Sequence, residues 1–314
     1  MTRAPAVSVI MIFLDAEQFI DEAIDSVMAQ TLRDFELLLC DDGSTDASTS
    51  IAQRWVSAHR DKVRYLEHPG HVNRGMSATR NLGLAAARGE LVAFIDADDV
   101  WRPHKLADQV ALMEGHPEVG MVCGTVRYWE SWTGGEDRLV PTGHVKDRVV
   151  WPPETSLALY PLGSATSPCP SDMMLRRDAV RAVGGFEEQF RGVYSLYEDQ
   201  AFLAKLYLVR PVLFSGSLWL DYRQHPGSIS STVARVGRYD DVRSTFLRWY
   251  EGYLNGLPEP PPRAVVRAVR RALRPYRWPL LRTVPSLIRR VGAVGHRALR
   301  RLRGATDQPT DAGR

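Results

Sequence analysis

Three carboxylates, Asp96, Asp98 and Asp99, follow an apolar run that starts at Leu91. The run contains β-branched and aromatic residues, which predicts a buried strand that ends at these side chains. Carboxylates this close repel one another and raise each other's pKa values unless a cation relieves the repulsion. Mg²⁺ and Mn²⁺ held by few carboxylates usually share substrate phosphates as further ligands. The alternative is a loop whose aspartates cap a helix beginning near Pro103, and this motif alone leaves both interpretations open.

Strands and helices are predicted to alternate in the N-terminal half, with short connections between them. Such alternation predicts an α/β fold with a parallel sheet and right-handed connections. Because ligands lie beyond the carboxyl ends of parallel strands, aspartates that follow two strands should meet at one edge of the sheet. Apolar runs predict strands over residues 7–13, 35–40 and 63–67, and a fourth strand that starts at residue 90 and leads to the three aspartates. Helical spacing predicts helices over residues 16–30 and 77–87, and another that follows Asp46 and ends at about residue 58.

The turn after the second predicted strand reads Asp41-Asp42-Gly43-Ser44. It lacks the G-x-G-x-x-G pattern of dinucleotide folds, and the sequence contains no P-loop. A carboxylate here can accept hydrogen bonds from a ribose hydroxyl or a base N–H, so Asp42 is the candidate nucleoside ligand. Asp46 directly precedes the next predicted helix and is better explained as its N-cap.

These motifs, in their order along the chain, resemble those of the family 2 glycosyltransferases. The resemblance covers roughly residues 5–232. It implies an inverting nucleotide-sugar enzyme with the GT-A fold, a Rossmann-like and mostly parallel sheet flanked by helices. Leu14-Asp15 departs from the family, which often has Tyr-Asn there. Further matching motifs are Asn73-Arg74-Gly75, Arg80-Asn81-Leu82-Gly83, Gly184-Gly185-Phe186-Glu187-Glu188, Glu198-Asp199-Gln200 and Tyr222-Arg223-Gln224-His225-Pro226-Gly227-Ser228.

The resemblance implies a donor site with Mn²⁺ or Mg²⁺ as cofactor. Asp98 matches the family's main metal ligand, and Asp96 matches its neighbour on the ribose or donor sugar. Arg74 and Arg80 lie in the segment that lines the family's nucleotide cleft, where a guanidinium suits a phosphate or a stacked base. For Arg80 the alternative is a helix-surface arginine. His225 is similar to a family histidine that completes the metal or pyrophosphate shell, with a surface histidine as the alternative.

Acceptor activation requires a base that takes the proton of the attacking hydroxyl. Glu198 and Asp199 precede a predicted amphipathic helix and follow aromatic residues, whose desolvating effect raises a carboxylate pKa. The family pattern assigns the base to Asp199 and leaves Glu198 to the loop or the acceptor. The alternative is that both acids only complement the helix N-terminus. Trp151 is a candidate for stacking on an acceptor glycan, although a tryptophan is more often a core residue.

The C-terminal tail differs in charge from the rest of the chain. Residues 263–306 contain 13 Arg and no Lys, Asp or Glu, so in a chain of net charge +3 the other residues carry −10. We expect a Pro-rich break and a basic amphipathic helical tail over residues 258–314, with a disordered end. Residues 263–303 would contact an anionic membrane surface. A helix docked on the acidic core is the alternative, and sparse aromatic residues argue against nucleic acid.

Composition sets the remaining expectations. The 314-residue chain is 44% hydrophobic, enough for one large core. Three widely spaced cysteines without a C-x-x-C motif indicate free thiols in a reducing compartment. The sequence shows no signal-like or membrane-spanning apolar stretch. We therefore expect a cytoplasmic protein, peripheral on the inner face of the membrane, with a GT-A domain over residues 1–257 that divides into a nucleotide-binding half (1–125) and an acceptor half (126–257).

Together these features predict transfer of a sugar from a nucleotide-sugar donor to a hydroxyl of a glycan or lipid-linked acceptor, in cell-envelope polysaccharide or glycoconjugate synthesis. One alternative is a sugar nucleotidyltransferase, which would need a Gly-rich basic loop after the first strand, where this chain has Phe13-Leu14-Asp15-Ala16. Another is a non-catalytic glycan- or membrane-binding protein on the same fold. That alternative gives no reason for Asp42, Asp98 and Asp199 to occur together.

Overall fold

The computed structural model describes residues 3–277, in which a ten-stranded sheet is flanked by helices. The strands are β1 Val7–Phe13, β2 Phe35–Asp41, β3 Val63–Glu67, β4 Leu91–Asp96, β5 Val100–Trp101, β6 Met121–Trp129, β7 Arg138–Pro141, β8 Arg148–Val150, β9 Met174–Arg176 and β10 Val212–Arg223. The α-helices are α1 Ile20–Met28, α2 Ser48–Ala58, α3 Met76–Ala86, α4 Lys105–Gly115, α5 Glu154–Ala158, α6 Arg177–Ala182, α7 Glu198–Leu206, α8 Ile229–Arg235, α9 Tyr239–Asn255 and α10 Arg263–Arg277.

The sheet is mostly parallel, as predicted. Its strand order is β3-β2-β1-β4-β9-β6-β10-β5, and β7 and β8 pair with β6 and β10. Strands β1 to β4 run parallel to one another, and β6 runs parallel to β10, while the short β9 lies antiparallel between β4 and β6. The carboxyl ends of β1, β2, β4, β6 and β10 therefore share one edge of the sheet.

Both faces of the sheet are buried, which explains the continuous apolar runs of its strands. In β1, alternate side chains enter different cores: Val9 and Met11 pack on one face, and Ile10 and Ile12 on the other. Such a strand has no polar face to expose. It therefore reads as an unbroken hydrophobic stretch in the sequence.

Two predicted helix beginnings differ from the structure. Helix α1 begins at Ile20, because the carbonyl of Ala16 accepts hydrogen bonds from the backbone N–H groups of Phe19 and Ile20 in a preceding turn. Helix α4 begins at Lys105, since Trp101 instead belongs to β5 and pairs with Leu220. The cap position of α4 is His104, which makes no side-chain capping bond. The interpretation of the three aspartates as a cap for this helix is therefore wrong.

A third core joins α7, α9 and α10. Val265, Val269 and Leu273 of α10 are fully buried in it, beside Phe246 and Tyr250 of α9. The docked alternative is therefore confirmed for the part of the tail that ends at Arg277. The expectations for residues 278–314 lie outside the described residues. No helix among residues 3–277 is both long and apolar enough to cross a membrane.

Truncation of the docked face tests whether α10 belongs to the folded core. Leu273→Ala should lower the free energy of unfolding by about 2–5 kcal/mol, because it leaves a cavity in that core. Arg271→Ala, on the exposed side of the same helix, should change it by less than about 0.5 kcal/mol. Urea unfolding followed by circular dichroism measures both. Equal stability of the two variants would contradict the docking.

Candidate functional site

The loop that carries the three aspartates is held by the end of β10. The Nε of Arg223 donates to the Asp98 carbonyl at 2.7 Å, and its backbone N–H donates to Oδ1 of Asp99 at 3.0 Å. Two residues further on, Nε2 of His225 lies 2.8 Å from Oδ2 of Asp98. The structure thus brings together the two side chains that the sequence analysis proposed as metal ligands, although they are 127 positions apart in the chain.

Arg223 lies in an aromatic cage that the sequence analysis did not identify. Its guanidinium lies 4.4 Å from the Trp129 ring centroid, 4.8 Å from that of Trp132 and 5.0 Å from that of Phe19. It also donates to the carboxylate of Glu22 at 2.5 Å. Cation–π contacts of a buried arginine are stronger than exposed ones. The cage fixes the arginine and, through it, the aspartate loop. The only signal in the sequence was the occurrence of Arg223 in a matching motif.

The Asp98 and His225 pair fits a cation that is shared with a substrate. The Asp98 side chain is 30% exposed and that of His225 is 14% exposed, so one carboxylate and one imidazole are accessible from solvent. Among residues 3–277, no group of three or more His, Cys, Asp or Glu side chains is arranged to hold a metal ion. Mg²⁺ and Mn²⁺ commonly take one or two protein carboxylates and complete their shells with phosphates and water. The donor set present therefore suits a metal that arrives with a diphosphate.

Arg80 joins the aspartate loop to Glu198, the neighbour of the predicted base. Its side chain is fully buried, its Nη2 donates to Oδ1 of Asp96 at 2.5 Å, and its Nη1 donates to Oε1 of Glu198. The alternative of a helix-surface arginine is therefore wrong. Both terminal nitrogens are committed to protein carboxylates, so any part that Arg80 plays in nucleotide binding acts through Asp96. Its Nε is buried without a hydrogen-bond partner.

Asp199 lies beside this ion-paired group and opens into a cavity of about 230 Å³. Burial raises the pKa of Asp199 to about 6, while hydrogen bonds from Gln200 and the charge of Arg80 oppose the shift. Burial also raises the pKa of Glu198, against the opposing charge of Arg80. The cavity contains further hydroxyl and aromatic groups. Its lining includes Thr142, Ser164, Thr166, Ser167, Ser230, Tyr128, Tyr160, Tyr197, Tyr222 and Tyr239.

Asp42 organises the loop that contains Arg74. Its Oδ1 accepts from the backbone N–H of Arg74 at 2.7 Å, and its Oδ2 accepts from that of Gly75 at 3.0 Å. The neighbouring Asp41, which the sequence analysis left without a role, accepts from the backbone N–H of Ser44 at 2.8 Å and so shapes the turn itself. The Arg74 side chain is exposed at this edge of the sheet.

Trp151 lies away from this site. It is 56% exposed, so it is not a core residue. The preceding Val150 pairs with Val212, at the beginning of β10, whereas the aspartate loop is held at the end of that strand by Arg223. Val212 and Arg223 are 11 residues apart in β10, a span of at most about 36 Å at about 3.3 Å per residue. Trp151 does not line the cavity that Asp199 enters. Its assignment to the acceptor side has no support in this geometry.

Comparison with known proteins identifies the class. Residues 8–184, more than half of the chain, match the family described as Glycosyl transferase family 2. The chain belongs to this family. The sequence resemblance is thereby confirmed, and the fold is the GT-A fold that it implied.

Individual relatives fit this class. The putative glycosyltransferase EpsE of Bacillus subtilis is 29% identical over 217 residues, 63% of this chain and 72% of EpsE. The Escherichia coli enzyme WfgD, a UDP-Glc:alpha-D-GlcNAc-diphosphoundecaprenol beta-1,3-glucosyltransferase, is 38% identical over 107 residues, 34% of this chain and 40% of WfgD. The chain thus spans less than half of WfgD, and the same holds for several other curated relatives.

Solved structures share the fold at low sequence identity. Residues 1–349 of S. aureus TarS, in complex with UDP-GlcNAc, superpose with a TM-score of 0.64 at 21% identity, covering 85% of this chain and 72% of that one. The mannosyltransferase PcManGT of Pyrobaculum calidifontis, in complex with GDP-Man and Mn²⁺, gives 0.57 at 19% identity, covering 87% and 75%. At these identities the likeness shows the fold alone.

Removal of the buried guanidinium should expose its structural role. Arg80→Met leaves the carboxylates of Asp96 and Glu198 buried without a cation, which should cost about 3–5 kcal/mol of unfolding free energy. Burial already raises the pKa of both carboxylates in the wild type, and loss of the Arg80 charge would raise both pKa values further. The added penalty is therefore absent below the unfolded pKa of about 4 and grows as the pH rises.

Urea unfolding at pH 5 and pH 8 measures this dependence. The deficit of Arg80→Met relative to the wild type should be larger at pH 8. Arg54→Met, which breaks an exposed pair with Asp21, is the matched control and should cost less than about 1 kcal/mol at either pH. A deficit that does not depend on pH would contradict the pairing.

Proposed function

We propose that this protein is an inverting glycosyltransferase that moves a sugar from a nucleoside-diphosphate sugar to a hydroxyl of a glycan or lipid-linked acceptor. The proposal rests mainly on one observation: Arg80 forms two ion pairs. One is with Asp96 of the aspartate loop, and the other is with Glu198, which is next to Asp199. They set a candidate base beside a candidate donor site. Inverting transfer needs this arrangement, because the base must act on the face opposite the departing diphosphate.

In this mechanism Asp199 deprotonates the acceptor. The acceptor hydroxyl enters the cavity and donates its proton to the Asp199 carboxylate while its oxygen bonds to the anomeric carbon. The bond from that carbon to the diphosphate oxygen breaks, and its electron pair leaves with the diphosphate. A pKa of about 6 leaves Asp199 ionised at neutral pH and makes it more basic than an ordinary aspartate.

The donor would lie across the carboxyl ends of β1, β2 and β4. Asp42 and the loop of Arg74 are our proposed nucleoside and phosphate contacts, and Asp96 faces the ribose or donor sugar. Asp98 and His225 would hold Mn²⁺ or Mg²⁺, which supplies charge stabilisation for the leaving diphosphate. TarS and PcManGT, which share the fold, bind UDP-GlcNAc and GDP-Man, and the PcManGT complex includes Mn²⁺.

The acceptor would be a glycan, either free or carried on a lipid. Tyrosine rings offer apolar faces to a sugar and hydroxyls to its polar rim, and both line the cavity. WfgD is named for a diphosphoundecaprenol acceptor, which supports a lipid-linked substrate in cell-envelope polysaccharide synthesis. We place the reaction in the cytoplasm, at the inner face of the membrane. The three unpaired cysteines agree with a reducing compartment.

The base assignment predicts a selective loss. Asp199→Asn should reduce kcat by at least about a hundredfold, the usual contribution of a positioned base, while the Kd of the nucleotide stays within about twofold. Asp178→Asn, the same change at an exposed helix beginning, should keep full activity. Wild-type kcat/KM should rise with pH through about 6 and then level off, because only ionised Asp199 accepts a proton. Wild-type turnover by Asp199→Asn would remove the assignment.

The metal assignment predicts a change in nucleotide affinity. Calorimetry with UDP, GDP and dTDP, each with Mn²⁺ and then with EDTA, identifies the nucleotide that binds and its metal dependence. Asp98→Ala should weaken binding in Mn²⁺ by about tenfold or more and leave the affinity in EDTA unchanged. Asp61→Ala, at an exposed position, is the control. If Asp98→Ala binds like the wild type in both conditions, Asp98 does not hold the metal.

A further inference from the structure

Helix α10 has two faces of opposite character. Its apolar side chains Val265, Val269 and Leu273 are buried against the protein. Its arginines follow one another at intervals of one, three or four residues, which places them together on the opposite face of an α-helix. All of them are exposed, and we call them the arginine face. They are Arg263, Arg267, Arg270, Arg271, Arg274 and Arg277.

The positive charge of the arginine face is only partly balanced. Glu251 of α9 pairs with both Arg270 and Arg277. Within residues 3–277, these are the ion pairs that the helix makes, and the helix itself contains no acid. The buried apolar face already accounts for the docking of α10. Its arginines are thus not needed for packing, although together they repel one another.

One end of helix α10 is connected to the wall of the proposed acceptor cavity. Tyr276, near the end of α10, accepts a hydrogen bond from Nη1 of Arg243 at 3.2 Å and donates to Asp240 at 3.1 Å. Nη2 of Arg243 donates to the Pro161 carbonyl at 3.1 Å. The residues next in sequence to Pro161 and Asp240 are Tyr160 and Tyr239, which line the cavity. The end of the helix is therefore tied to the cavity wall.

We infer that the arginine face of α10 binds the anionic surface of a lipid bilayer and holds the acceptor cavity next to that surface. The binding is electrostatic and needs no insertion, because the apolar face of this helix is occupied by the protein core. The sequence predicted contact of residues 263–303 with an anionic membrane, and for residues 263–277 we assign that contact to the arginines and not to apolar side chains. The link to the cavity rests on the proposed function, whereas the surface contact stands without it.

The expected strength follows from the number of arginines. A basic residue near an anionic membrane contributes about fivefold to binding, and the effect decreases as salt screens the surface. Neutralising four arginines should therefore weaken binding by several hundredfold, on the order of five to the fourth power. We choose the four that do not pair with Glu251. The test variant of the full chain carries Arg263→Gln, Arg267→Gln, Arg271→Gln and Arg274→Gln.

The experiment is sedimentation with vesicles, either of phosphatidylcholine alone or of phosphatidylcholine and phosphatidylglycerol in equal parts. The control variant removes four exposed arginines from elsewhere, so the two proteins have the same net charge. Its changes are Arg33→Gln, Arg60→Gln, Arg148→Gln and Arg181→Gln. We expect the wild type and the control to bind only the anionic vesicles, less at high salt, and the α10 variant to lose this binding. Circular dichroism and thermal unfolding check that the variants fold alike.

Several results would overturn the inference. They are undiminished binding of the α10 variant to anionic vesicles, an equal loss in the control, and binding of the wild type to phosphatidylcholine alone. Calorimetry with nucleotide and Mn²⁺ separates this result from the proposed function. Nucleotide binding should be the same in the wild type and the α10 variant. If the wild type bound no nucleotide, the proposed function would fail while the vesicle result stood by itself.

Discussion

The site depends on one buried guanidinium. Arg80 comes from α3, while its two carboxylate partners come from the end of β4 and the beginning of α7. A buried charge without a partner costs several kcal/mol, and two carboxylates facing each other across a cleft would separate. The single positive charge therefore holds together two segments that are 102 positions apart, from Asp96 to Glu198. This contact holds the aspartate loop close to Glu198 and so to its neighbour Asp199, the proposed base.

The aspartate loop has further supports, and together they leave little of it free. The backbone N–H of Asp96 donates to Oγ of Ser171, the Asp98 carbonyl accepts from Arg223, and the Asp99 carboxylate accepts from the Arg223 backbone. What remains towards the cleft is the Asp98 carboxylate and the imidazole of His225. Sites held by supporting hydrogen bonds bind with less reorganisation. The loop is thus prepared for a ligand before the ligand arrives.

Sequence periodicity predicted β1 and β3 to the residue and β2 to within one residue at its end. β1 and β2 are largely apolar strands between two cores, whereas β3 is mostly half-buried and includes Arg64 and Glu67. Periodicity could not predict the partners of Arg80, since its ion pair with Glu198 spans 118 positions and an arginine on an amphipathic helix is usually exposed. The location of Trp151 could not be predicted for a related reason. The sequence shows an aromatic residue but not the end of the sheet at which it lies.

The tail was ambiguous because the same spacing of apolar residues serves a lipid surface or a protein surface. The spacing determines which side chains share a face of the helix. Whether lipid or protein covers that face depends on the apolar surface that the other helices offer. Here α7 and α9 present Ala204, Phe246 and Tyr250, and Val269 packs into the same core. Because the apolar face of α10 is buried, the arginines are the only large group of side chains on this helix that another partner can contact.

Glu198 and Asp199 show how adjacent carboxylates acquire different roles. Successive residues of a helix point about 100° apart, so the two side chains at the start of α7 cannot face the same neighbours. Glu198 is turned inward, where Arg80 and Ser77 donate to it, and only 1% of its surface is exposed. Its two carboxylate oxygens are thus engaged by protein donors and do not face an acceptor. Asp199 points into the cavity and remains the carboxylate that a hydroxyl can reach. The arginine therefore engages Glu198 and leaves Asp199 available for the proposed role of base.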